Sequence, residues 1–188
     1  MKKYLISCVF FAVLLGGCAT SPPASSTFTN ASPLVPVVHQ KSGFSFPVRV
    51  AGFQRGKTRQ YDTVGEDVSV GYGNDVTNVY ATVFVYPTHG RTLDVEFAAR
   101  QAEVKQVNAN AQLVAASKVK VTPKQIEALF AIYSFVGNMG ETSQPLGSEL
   151  VVAQSGEHFV EYRFTYPIAA QPAAIKEIGD FEREFVWP

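Results

Sequence analysis

Val79-Tyr80-Ala81-Thr82-Val83-Phe84-Val85-Tyr86 is the stretch whose reading decides the fold. Val79, Ala81, Val83 and Val85 fall on one face, and Tyr80, Thr82, Phe84 and Tyr86 on the other. A period of two is that of a β-strand, and apolar side chains on both faces predict a central strand covered on both sides. Pro87-Thr88-His89-Gly90 breaks the pattern. Thr92 then stands as a helix N-cap, with Asp94 and Glu96 in the first turn, where the helix dipole favours acids. Leu93, Phe97, Val104 and Val107 make one apolar stripe, with Arg100, Glu103 and Lys105 on the exposed side. This helix is expected to end near Asn108–Asn110.

Toward the N-terminus, Phe44, Phe46, Val48 and Val50 alternate as one half-buried strand. Pro47 makes it an edge or bulged strand, because proline donates nothing to a ladder. Thr58–Asp62 reads as a short second strand. Val68, Val70 and Tyr72 make a third, stopped by the turn-rich Gly71-Tyr72-Gly73-Asn74-Asp75. Beyond the helix, Leu113–Val121 and Ala128–Val136 are strands, and Glu149–Gln154 with His158–Tyr166 form a hairpin around Ser155-Gly156-Glu157. Ala173–Val186 places Ile175, Ile178, Phe181 and Phe185 at helical spacing. The order ββββ-α-ββββ-α predicts a single α+β domain over residues 39–188, an antiparallel β-sheet flanked by helices.

The domain resembles the PsbP-like (DcrB-like) family. The features that carry the resemblance are the opening Gly43-Phe44-Ser45-Phe46-Pro47, the central Val83-Phe84-Val85-Tyr86-Pro87 ahead of the first helix, and a strand through Tyr133. The late hairpin with Phe159-Val160-Glu161-Tyr162 and the aromatic C-terminal helix complete them. In that family an aromatic follows the opening proline by a few residues; Phe53 is the nearest here. The resemblance implies a largely non-enzymatic role in docking, assembly or envelope maintenance.

The address is written at the other end. Lys2 and Lys3 precede an uncharged apolar run, Leu5–Leu15, too short to span a bilayer and right for a signal peptide. The run closes in Leu15-Gly16-Gly17-Cys18, which looks like the lipobox of bacterial lipoproteins. That likeness implies a diacylglyceryl group on Cys18 Sγ, cleavage by signal peptidase II after residue 17, and acylation of the new amine. Leu15, Gly16 and Gly17 would be the recognition residues. Two or more acyl chains anchor a protein firmly, at about 0.8 kcal/mol per buried CH₂. Ala19 and Thr20 follow, with no Asp at the second position, which implies the outer membrane's periplasm-facing leaflet. Residues 18–38, rich in Pro, Ser and Thr, read as a disordered tether.

Charge and cysteine count exclude some classes. Loss of Lys2 and Lys3 from the 16 basic side chains leaves 14 against 16 acidic ones, which argues against a nucleic-acid binder. Cys8 leaves with the signal and Cys18 is taken by lipid, so the domain holds no disulfide and no thiolate.

No residue pattern names a catalytic, cofactor or metal site. His39 falls in the tether, His89 in a turn, and His158 at a strand start. His158 and Glu161, three apart on a strand, face opposite ways. Asp62, Glu66, Asp67 and Asp75 lack calcium-loop spacing and read as a solvated edge. Gly71-Tyr72-Gly73 has no third glycine or following helix, and Gly-x-Ser-x-Gly is absent. Arg49, Arg55, Lys57 and Arg59 form one basic stretch, read first as a solvated strand face and second as a contact for anionic headgroups or glycan phosphates. The fourteen Phe, eight Tyr and one Trp are mostly core.

The expectation is a membrane-anchored envelope lipoprotein that docks to an envelope protein or other component without catalysis and without a cofactor. The alternative is a carrier or sensor for a small apolar ligand. A hydrolase assembled from distant residues is the third reading. A flat apolar patch would favour the first, a deep apolar cavity the second, and convergent polar groups with perturbed pKa the third.

Overall fold

The computed structural model describes residues 35–121 and 124–188. Leu15, Gly16, Gly17 and Cys18, and most of the expected tether, lie outside the described residues. The chain runs β1 (Val37–Val38), β2 (Ser45–Phe46), β3 (Arg49–Val50), β4 (Phe53–Gln60), β5 (Val68–Asn74) and β6 (Val79–Pro87). Then come α1 (Leu93–Val107), β7 (Gln112–Val121), β8 (Ile126–Met139), β9 (Thr142–Ser155), β10 (His158–Pro167) and α2 (Gln171–Glu184). The fold is α+β. Eight strands make one antiparallel sheet in the order β3-β4-β5-β6-β10-β9-β8-β7. Two meanders meet along a β6–β10 seam, in which Val83 lies opposite Tyr162, and α1 carries the chain from the first meander to the second.

Each boundary has a local cause. The expected strand from Phe44 to Val50 is two short ones split at Pro47, which has no N–H to give a ladder. Its first half pairs with β1, placing Phe46 opposite Val37, and its second half pairs with β4. The expected tether therefore ends too late, because Val37 and Val38 form a strand, and Val37 and His39 are buried. Asn74 extends β5 past the expected stop. The late hairpin turns at Gly156, whose φ of +59° suits a tight two-residue turn. A second hairpin turns at Gly140, with φ +64°, so β8 and β9 each run 14 residues and are longer than expected.

The two helices lie on opposite faces. Ala174, Ile178 and Phe181 of α2, with Phe185 and Trp187 beyond it, pack with Phe44, Phe46 and Phe53 onto Val70, Val83, Tyr162 and Phe164. This stripe runs through Ala174, so Ile175 points out and is half exposed. On the other face Phe97 and Val104 of α1 pack against Tyr86, Leu129, Ala131, Tyr133, Leu150, Val152 and Phe159. Thr92 caps α1 as expected, its side chain accepting from Val95 N–H. Val107, the last residue of α1, is 70% exposed and takes no part in the expected stripe.

Helix α1 covers only the β8–β10 half of its face. Strand β6 is therefore covered fully on the α2 side and on the other side only near Tyr86, while Tyr80 stays 45% exposed. The edge strand β7 is exposed over most of its length. Lys118, Lys120 and a bulge between Leu113 and Ala115 break up that edge, devices that discourage strand addition. The double substitution Lys118→Val/Lys120→Val is expected to make the domain self-associate, read as a rise in weight-average mass by sedimentation. No rise over the parent protein would show that the bulge alone guards the edge.

A charged cleft that opens onto an uncovered half-face

Between the first half of α1 and strands β6 and β10 lies a groove of about 280 Å³, lined by Tyr61, Asp67, Phe84, Tyr86, Arg91, Arg100 and Glu103. Charged side chains from the helix and the sheet interlock along its wall. Arg91 reaches Glu96 at 2.6 Å, and Arg100 reaches the same carboxylate at 3.0 Å. Arg100 also holds Glu103 at 2.8 Å, and Arg163 of β10 holds Glu103 at 2.8 Å and pairs with Glu161. The Tyr86 hydroxyl donates to Glu161 at 3.1 Å. The guanidinium of Arg163 lies over the Phe84 ring and that of Arg100 over Tyr86, 5.2 and 5.8 Å from the ring centres.

The sequence hides this network for a simple reason. Arg100 and Glu103 read as exposed beside Lys105, and Glu96 as a first-turn acid, yet Glu96, Arg100 and Glu103 share one helix face that faces the sheet, and only Lys105 stays exposed. Arg100 and Glu103 are half-buried and Glu96 is fully buried, which corrects the expected exposed side. The signal that could have found it is the charge pair Glu161 and Arg163, alternating with Phe159 on one face of an otherwise apolar strand.

Burial and pairing set the protonation. Burial pushes the Glu161 carboxyl above its ordinary pKa, with Arg163, Arg100 and Tyr86 opposing. Burial would raise Glu103 as well, but the bond and charge of Arg163, with help from Arg100, hold it below its ordinary value. Burial and the neighbouring Asp62 raise Asp67. Tyr86 is raised by burial and then by Glu161. Convergent polar groups with perturbed pKa are what a hydrolase would need. Glu96 and Glu161 are fully buried and each is held by arginine, so the carboxylates that face the groove are Asp67 and the doubly paired Glu103. The network clamps α1 to the sheet.

The groove continues onto the bare surface of β4, β5 and β6. Strand β4 carries a bulge between Arg55 and Thr58, where three steps along β4 match two along β5. One extra residue flips every later side chain to the opposite face. The expected basic stretch is thereby split. Arg55 turns toward the N-terminal segment and donates to the carbonyls of Phe46 at 2.7 Å and Val35 at 2.8 Å. Arg49 reaches Gln54 at 3.4 Å. Lys57 and Arg59 go to the open face, where they line a groove of about 330 Å³ with Tyr61, Ser69, Gly71, Thr82 and Phe84. The rings of Tyr61 and Phe84 stack, with centroids 6.3 Å apart and planes at 26°.

The overall fold is similar to that of cyanobacterial PsbP. The solution structure of this protein (CyanoP) from Synechocystis sp. PCC 6803 aligns with 89% of this chain and 95% of its own, at 13% identity and a TM-score of 0.47. No family model matches this chain, and no curated protein matches it.

His89 lies in a turn and His158 opens β10, as expected, but His39 is placed differently from the sequence reading. His39 belongs to the folded domain, and its ring meets that of His158 edge-on at 5.6 Å. Its Nδ1 accepts the Ser42 N–H at 3.3 Å, so Nε2 carries the proton and donates to the Gly65 carbonyl at 2.9 Å. Burial lowers the pKa of both histidines. His39 fastens the N-terminal segment to the loop between β4 and β5. In that loop Asp62 accepts from the N–H groups of Gly65 and Glu66, so it is a turn scaffold and not a solvated edge residue. Asp75 lies past the far end of β5 from Asp62, Glu66 and Asp67, so the four acids do not gather. Among the described residues no group of three or more His, Cys, Asp or Glu forms a metal cage, and no helix is long and apolar enough to cross a membrane.

Proposed function

We propose that this chain is a lipid-anchored factor of the bacterial envelope, facing the periplasm from the outer membrane, and that it works by docking and not by catalysis. One observation carries the docking part: half of a sheet face is left bare, and Lys57 and Arg59 stand on it with no ion pair among the described residues. Elsewhere near that face arginine is matched by carboxylate or carbonyl. Exposed cations and rings contribute little to folding stability, so a bare, ring-lined and cationic half-face is surface available to a partner. The anchor rests on the Leu15-Gly16-Gly17-Cys18 motif.

Two measurements test the two parts separately. Mass spectrometry of the mature chain is expected to find residue 18 first and carrying acyl mass, and a Cys18→Ala chain is expected to carry none. A free thiol at Cys18, or residues 1–17 retained, rejects the anchor. For docking, a photoreactive side chain at Thr82 is expected to give a discrete adduct in living cells, while one at the exposed Lys176 on α2 gives none. The same adduct pattern at both positions rejects the half-face as the docking surface.

A further inference from the structure

The geometry points to an acidic glycan as the occupant of the half-face: a chain of sugar rings bearing carboxylates, lying along β4, β5 and β6. This deepens the docking reading and rests on it. The first argument is charge. Lys57 and Arg59 project onto the same open face beside Tyr61, put there by the β4 bulge, and no carboxylate among the described residues forms an ion pair with them, although Asp75 lines the adjoining groove with Lys57.

The second argument is the floor. Gly71 sits in the middle of β5, opposite Thr82, with an ordinary negative φ. A strand glycine weakens its strand and often marks close approach by a ligand. Here the protein's own packing does not require it, because a Cβ at Gly71 would meet only the Lys57 carbonyl oxygen at 3.6 Å, an ordinary contact. The space above Gly71 is therefore left for something outside the protein. Around it stand the Thr82 hydroxyl and the rings of Tyr61, Phe84 and Tyr80, with Tyr61 52% and Tyr80 45% exposed. A sugar ring presents an apolar C–H face to such rings, its hydroxyls to a group such as Thr82, and a carboxylate to lysine or arginine.

Other anionic occupants fit less well. Helix α1 rises beside the half-face as a wall, so a planar lipid surface meets the helix before it reaches Gly71. An acidic peptide strand would bind by main-chain hydrogen bonds at a sheet edge; on this side that edge is the outer flank of β4 beyond Arg55, away from Gly71 and Thr82, whose strands β5 and β6 have both neighbours paired.

The test uses the whole chain in neutral detergent and calorimetric or NMR titration with three probes: hexagalacturonate, a neutral glucose hexasaccharide, and hexaglutamate. Hexagalacturonate is expected to bind more tightly than both others, and more weakly as salt rises. Lys57→Glu/Arg59→Glu is expected to weaken it roughly tenfold or more. Gly71→Val is the sharper variant. It is expected to raise the melting temperature, since valine suits a strand, and to remove binding. Hexaglutamate binding as tightly as hexagalacturonate, or Gly71→Val binding like the parent, overturns the glycan assignment. If the Thr82 adduct still forms in cells, docking survives that failure with a different partner.

Discussion

Phe181→Ala is expected to cost about 3–5 kcal/mol, measured by urea denaturation with an unchanged slope. Phe181 is fully buried at the point where α2 meets the sheet. Its ring lies 5.0 Å from Phe53, 5.3 Å from Tyr72, and 5.5 Å from both Phe164 and Phe185. These partners come from β4, β5, β10 and the segment after α2, so one truncation opens a cavity that no single element can close by moving. Edge-on ring pairs add roughly 0.5–1.5 kcal/mol each beyond area, though not additively. The same change at the half-exposed Ile175, one helical step off the stripe, is expected to cost under about 1 kcal/mol. Equal costs at the two positions would mean that α2 is rotated from the orientation described.

Glu182→Gln is expected to stabilise the domain by about 3 kcal/mol at pH 8 and to leave it unchanged at pH 4. Burial, with repulsion from Glu149, pushes the Glu182 carboxyl from 4.5 up to about 7. Glu149 is itself raised by burial, and accepts from the Tyr166 hydroxyl at 3.2 Å. Below pH 4.5 the Glu182 carboxyl is protonated in folded and unfolded chains alike, and its titration has no effect. Between 4.5 and 7 the unfolded chain releases this proton first, so stability falls as pH rises. Above 7 the full cost remains. Glutamine imitates the protonated acid at every pH, so the variant's advantage appears across that window. An advantage that persists at pH 4 would assign the effect to packing, not to titration.

Much of this was legible in the residues. The alternation from Val79 to Tyr86 fixed the central strand, Thr92 the start of α1, and Gly156 the last hairpin, because each rests on local chemistry that tertiary contacts only reinforce. Three things were hidden, all for the same physical reason: their cause lies on another element. The β4 bulge that separates Arg55 from Lys57 and Arg59 is set by pairing with β5, and Gly56, the residue type that often marks a bulge, lies outside the strand expected at Thr58–Asp62. The inward pair Arg100 and Glu103 reads as solvated until Arg163 arrives from β10 to complete its pairing. His39 reads as linker until the β4–β5 loop supplies the Gly65 carbonyl. The candidate site was the least legible part, because its cleft is formed by groups from α1 and β10 whose charges look like ordinary surface when taken one at a time.

The seam between the meanders has a consequence for biogenesis. Val83 finds Tyr162 only after α1 and three further strands have been made. Until then a nascent chain carries β6, its most β-prone segment, with one flank bare and valines ready to recruit a neighbouring molecule. A chain stalled or clipped before β10 keeps that flank permanently. Such fragments should depend on holding chaperones far more than the finished protein does, and they set where quality control must act.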